Sequence, residues 1–163
     1  MLLIQCIVCC LLFTLIILPA QYKDPISMIM SYPPKIRERV ESLPQYKETI
    51  KQREKSHFSK KIFGLLFFVI VLSGVAYFSG CRSFSTTFVH VFTLFLVVNF
   101  YDLVVLDWGI FCHSKKLQIP GTEDMEKEYK DYMFHVKGAG VGVLLGLVVA
   151  VLSGGLIHLI LMV

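Results

Sequence analysis

Hydrophobic positions along this chain fall in blocks rather than in stripes. Apolar residues run almost unbroken over about 2–20, 62–80, 86–108 and 138–162, with polar or charged stretches between them. About 20 apolar residues at a rise of ~1.5 Å each cross a hydrocarbon slab roughly 30 Å thick, so blocks of this length point to membrane spans. The predicted fold is all-α: a polytopic integral membrane protein with a bundle of four transmembrane helices. It is a single membrane domain with short amphipathic helices on its inner face, carried by inner loops 21–61 and 109–137.

The first block ends at Pro19, and its reading as a cleaved signal peptide fails on two counts. It has no basic leading region, and a cut after Ala20 would put Leu18 where a small residue is needed. A retained span with its N-terminus outside is expected. In the first loop, Tyr32-Pro33-Pro34 reads as a helix start, and Ile36, Val40 and Leu43 repeat at helical spacing. Such a helix lies flat on the inner leaflet or is a solvated linker. Pro44 ends it, and a second charged helix follows from Gln45 to about Lys55. Lys60-Lys61 anchors the second block at the inner face, and Cys81-Arg82-Ser83-Phe84-Ser85 makes a tight outer turn to the third.

Composition and charge sharpen this picture. Of 163 residues 55% are hydrophobic and 17% charged, where a soluble domain carries about a quarter charged. The net charge of +4 comes from one place, because ten of the sixteen Lys and Arg lie between Gln21 and Lys61. That asymmetry is a topology signal, placing the loop in the cytoplasm with both termini outside a plasma membrane. No aromatic residues interleave with a basic patch, so nucleic acid is excluded as a partner. The expected partners are the lipid bilayer, a membrane protein, or a second copy through span four.

Candidate chemistry collects at the end of the third block. Taking its centre near Leu96, Asp102 lies about 9 Å further along, inside a slab that reaches ~15 Å from its midplane. A carboxylate there needs company, and Asn99 shares its face. Asp107 sits about 140° round from Asp102 on a straight helix at ~100° per residue, so the two are not expected to form one dyad. Trp108 fits an interfacial aromatic belt. Beyond Pro120-Gly121, Thr122 is a candidate helix N-cap with Glu123 and Asp124 in the first turn, and Met125, Tyr129, Tyr132 and Met133 line one side of an interfacial helix. Asn99, Asp102, Asp107, Trp108, Thr122, Glu123 and His135 form the candidate polar focus, with His113 in the same zone. Asp107, Glu123 and His135 are the candidate acid, base or ligand groups of an enzyme.

Other chemistry finds little footing. No pair has a metal-ligand spacing, no cofactor loop is present, and Cys112-His113 are adjacent, which orients them poorly as a couple. Cys6, Cys9 and Cys10 lie in a Leu/Ile helix with nothing to polarise a thiolate, and an odd cysteine count speaks against a disulfide framework. Gly138, Gly142, Gly146, Ala150 and Gly154 fall four residues apart and make a small-residue seam, expected to pack against span two or three and otherwise to join two copies. His158 stands at a depth where it could meet His90.

The string Tyr101-Asp102-Leu103-Val104-Val105-Leu106-Asp107-Trp108, then Pro120-Gly121-Thr122-Glu123, then Tyr129-x-x-Tyr132-x-Phe134-His135, resembles a group of small uncharacterised four-span bacterial membrane proteins. The resemblance covers the C-terminal half of the chain and brings no catalytic roles with it. It implies that residues 99–135 act as one unit. The function expected is a non-enzymatic accessory or partner-binding membrane protein with a polar site at the inner face. The alternatives are a membrane-embedded enzyme acting on a lipid or isoprenoid headgroup, then an oligomeric transporter.

Overall fold

The computed structural model describes residues 1–162 and, of these, all side chains but those of 53–61. The Lys60-Lys61 anchor therefore lies outside the described residues. Among them the chain is all-helical with no strand. Its helices are α1 (Leu2–Lys23), α2 (Pro34–Ser42), α3 (Pro44–Phe78), α4 (Phe84–Tyr101), α5 (Glu126–Tyr129) and α6 (Tyr132–Met162). Asp102–Phe111 continues α4 as a π-helix, and Pro25–Ser31 and Lys115–Leu117 are 3-10 turns. Three helical stretches are long and apolar enough to cross a membrane: Leu2–Lys23, Phe84–Phe111 and Glu126–Met162. A fourth, Ile62–Phe78, is apolar but shorter.

Two boundaries differ from the sequence reading. Pro19 lies inside α1, which runs on to Lys23. Proline forfeits one hydrogen bond but leaves the next ones intact, and Asp24 N–H still reaches the Ala20 carbonyl at 3.1 Å. The charged helix after Pro44 and the second apolar block are one continuous helix, because no Gly or Pro interrupts the chain from Gln45 to Phe63. Pro44 itself opens α3 at its first turn, where a missing N–H costs nothing.

The helices run antiparallel. Gln5 Nε2, early in α1, donates to Ser79 Oγ at the end of α3 (2.7 Å). Gly154, late in α6, lies against Phe84 at the start of α4. At this end Gly80 turns the chain with φ +88°, and Ser83 and Thr86 cap α4 reciprocally. Tyr22, the two 3-10 turns, α2 and α5 gather at the other end.

Each half of the molecule has its own core. Cys6 of α1, Val69, Leu72 and Ala76 of α3, Val91 and Leu94 of α4, and Val149 and Ala150 of α6 form one buried cluster. The outer faces carry exposed large apolar side chains such as Leu3, Phe67 and Leu144. The second cluster joins the two polar loops: Ile29, Tyr32, Ile36 and Val40 pack on Phe111, Leu117, Ile119 and Tyr129. The apolar side of α2 thus faces protein, with Ile36 and Val40 both fully buried, not a leaflet surface or solvent. Arg39 and Asp124 pair across the loops at 2.6 Å.

Candidate functional site

The π-helix reshapes the polar focus. Its hydrogen bonds run from residue i to i+5, as in Cys112 N–H to the Asp107 carbonyl at 2.9 Å. Asp102 and Asp107 are five residues apart, so the wider turn brings round to one side two carboxylates that a straight α-helix would hold about 140° apart. Both line a cavity of about 390 Å³. The straight-helix separation expected from the sequence does not apply here, because the backbone winding is one that periodicity does not encode.

Five elements wall this cavity. From α4 and the π-helix come Asn99, Asp102, Leu103 and Asp107; from α6, Phe134, His135, Gly138 and Ala139. Phe13, Ile17 and Gln21 of α1 and Met28, Met30 and Ser31 of the first 3-10 turn close it. Among the described residues no Lys or Arg lines it.

His135 is the best-buried polar member at 4% exposure. Its Nδ1 meets Asp107 Oδ2 at 3.1 Å, while Phe111 and Phe134 stand edge-on to the ring with centroids at 5.1 and 5.4 Å. The other ring nitrogen, Nε2, is buried and has no hydrogen-bond partner among the described residues. A carboxylate only accepts, so Nδ1 is the donor of this pair. Asn99 is fixed differently from expectation. Its Nδ2 donates to the Ala139 carbonyl at 3.0 Å across the helix pair, and its Oδ1 occupies the space a Cβ on Gly142 would need. The small-residue seam therefore shapes the site as well as the packing. Gly146 accommodates Phe95, Gly154 accommodates Phe84, and Ala150 is fully buried.

The remaining sequence candidates lie elsewhere. Thr122 is buried but caps no helix: its Oγ1 donates to the Ile119 carbonyl (2.6 Å) and shares a hydrogen bond with Tyr129 Oη (2.7 Å). Glu123 is exposed and folds back to accept from the Gly121 N–H at 2.9 and 3.0 Å, which holds its carboxyl below the usual range. Gly121 has φ +94°, so only glycine sits there without strain. Trp108 is half-buried and edge-on to Tyr132, with ring centroids 5.8 Å apart. His113 is exposed, its Nδ1 at 2.8 Å from the Trp108 carbonyl. The helix expected to carry Met125, Tyr129, Tyr132 and Met133 is broken at Lys130–Asp131 into α5 and the start of α6.

Burial pushes the Cys112 thiol up to about 11, with Asp107 and Asp131 adding to it, which favours the thiol over the thiolate. His158 is exposed and His90 half-buried, and no hydrogen bond joins them among the described residues. All five cysteines are free, and no cluster of metal-ligating side chains occurs among the described residues. Sequence reasoning missed Gln21, late in α1, and Met28, Met30 and Ser31, which reach the cavity through a 3-10 turn that leaves no periodic trace. Comparison with family models, curated proteins and solved structures found no match to this chain.

Proposed function

We propose that the chain is a multi-pass plasma-membrane protein of four spans, with both termini outside and residues 21–61 and 109–137 on the cytoplasmic side. In this reading it is a non-enzymatic binding protein, an accessory membrane component whose cavity at the inner end of the helices receives a small ligand. One observation carries it: Asp102, Asp107 and His135, drawn from two helices, line one cavity. A cavity lined mostly by apolar side chains with a few convergent polar groups is the usual form of a small-ligand site. A fourth span is consistent with Ile62–Phe78, because 17 residues reach the lower limit for crossing.

A second reading, an enzyme acting on a lipid or isoprenoid headgroup, is favoured by one feature. Asp107 orients His135 as a carboxylate orients a general base. It ranks below binding because no hydroxyl or thiol hydrogen-bonds to Nε2 among the described residues.

Native mass spectrometry of the full chain released from mild detergent tests the binding reading. Wild-type protein is expected to retain a bound mass that Asp107→Asn and His135→Phe lose, with melting temperatures within a few degrees of wild type. Identical spectra for all three proteins would remove the reading.

A further inference from the structure

A second, smaller pocket of about 100 Å³ opens where residues 111–118 meet α5 and Lys130. It shares no lining residue with the larger cavity, and nothing about it depends on the reading given to that cavity. Phe111, Cys112 and Tyr129 are its buried part, and Lys115 and Lys130 stand exposed at its rim. Glu126 is the one carboxylate in the described lining, and its Oε1 lies 3.9 Å from Lys115 Nζ, a loose pairing. Asp131, next to Lys130 in sequence, does not line the pocket and accepts from the Phe134 N–H at 3.0 Å. Two ammonium groups against one carboxylate leave the described lining with one positive charge in excess, before His113 is counted.

Size and donor chemistry narrow what answers that excess. Drug-sized ligands fill about 300–1,000 Å³, so this pocket admits one compact group. The Ser114 hydroxyl and the Gln118 amide add neutral donors to the two ammonium groups. These donors come from two separate segments, 113–118 and 126–130. A planar carboxylate is matched best by the fork of an arginine, and no Arg lines the pocket among the described residues. Lysine acts as a point charge, which suits the spread oxygens of a phosphate.

Aromatic neighbours set the level of the site. His113 Nε2 lies 3.4 Å from Tyr132 Oη, Tyr132 is edge-on to Trp108, and Ser114 Oγ lies 3.4 Å from Tyr22 Oη. Trp and Tyr at the ends of apolar helices gather at the headgroup level of a bilayer, where lipid phosphates lie. We propose that the pocket binds a phosphate group between Lys115 and Lys130. Two sources carry that chemistry, the head of a phospholipid and free phosphate, and the aromatic neighbours favour the first.

The test titrates the full chain calorimetrically in dodecyl maltoside, a detergent without phosphate. The probes are inorganic phosphate, acetate and dihexanoylphosphatidylglycerol. Wild-type protein is expected to bind a phosphate-bearing probe about tenfold more tightly than acetate, and Lys115→Gln/Lys130→Gln to lose that preference. Lys35→Gln/Lys47→Gln removes the same charge at exposed positions outside the pocket and is expected to behave as wild type. No preference in the wild type, a preference kept by Lys115→Gln/Lys130→Gln, or one lost equally in both double variants would each overturn the proposal. Should the pocket variant fold poorly, the wild-type comparison of phosphate with acetate decides alone. Tighter binding of the phospholipid than of inorganic phosphate, by about tenfold and dependent on Lys115 and Lys130, assigns the lipid head; equal or weaker binding assigns free phosphate.

Discussion

Asp107 and His135 hold one another where neither would rest alone, with side chains 27% and 3% exposed. An isolated charge in such surroundings costs several kcal/mol, and a hydrogen-bonded partner offsets it. That cost is what made Asp102, Asp107, Asn99 and His135 legible as residues before any fold was known. Thr122 and Glu123 were not separable from them by the same logic, because both satisfy themselves inside a short turn. Tyr32 shows the opposite case, a central residue without an obvious local signal. It is fully buried, donates to the Leu117 carbonyl at 2.9 Å and stands edge-on to Phe111 with centroids 4.8 Å apart. Tyr32→Phe keeps the ring but orphans that carbonyl, and should lower unfolding free energy by about 1 kcal/mol in denaturant titration at pH 8. Burial also pushes the Tyr32 phenol well above its ordinary value, with Tyr129 and Asp24 adding to the shift. The folded state then holds that proton more tightly than the unfolded one. Its contribution is complete below about pH 10 and declines as pH rises toward the folded value. The Phe variant should show a shallower alkaline loss than wild type.

At the scale of elements, what the sequence disclosed was length and polarity, and what it hid was winding. Blocks of apolar residues marked the three helices long enough to cross a membrane and the shorter Ile62–Phe78, and the four-residue spacing of small residues marked the face of α6 that meets α4. A π-helix differs from an α-helix by one residue per hydrogen-bonded turn, and no residue type in Asp102–Phe111 announces it. The helix continuity from Pro44 to Phe78 was masked for another reason, since a change from charged to apolar residues reads as a boundary when the backbone has none. The seam gives a direct prediction. A Cβ on Gly146 would lie 2.6 Å from Phe95 Cδ1, whereas one on Gly140 meets nothing within 4 Å. Gly146→Leu should therefore cost about 1–3 kcal/mol through overpacking. Gly140→Leu, on an exposed face, should leave stability in a detergent-unfolding titration close to wild type.

At the scale of the molecule, the two polar loops fold together into a second core, and that association is what positions the cavity. Ile36 and Val40 meet Leu117, Ile119 and Tyr129 across about eighty residues of sequence, a pairing no local pattern encodes. Amphipathic spacing identified which residues of α2 seek an apolar partner but not whether the partner was lipid or protein. Since α1 and α3 run antiparallel, as do α4 and α6, the loop core and the turn at Gly80 lie at opposite ends. The proposed topology then makes an all-or-none prediction about two exposed positions, Ser85 beside the turn and Lys116 in the loop core. In intact cells a membrane-impermeant maleimide should modify Ser85→Cys and spare Lys116→Cys, and permeabilised cells should label both. The background must lack Cys81, the half-buried native thiol beside the turn, while buried Cys112 serves as its own slow-reacting reference. The concentration of basic residues before Lys61 sets the sign, because positive loops stay in the cytoplasm. Labelling of Lys116→Cys alone in intact cells would invert the protein and place the carboxylate-lined cavity at the outer face. Labelling of both would mean that an odd number of the crossings between Ser85 and Lys116 had been miscounted.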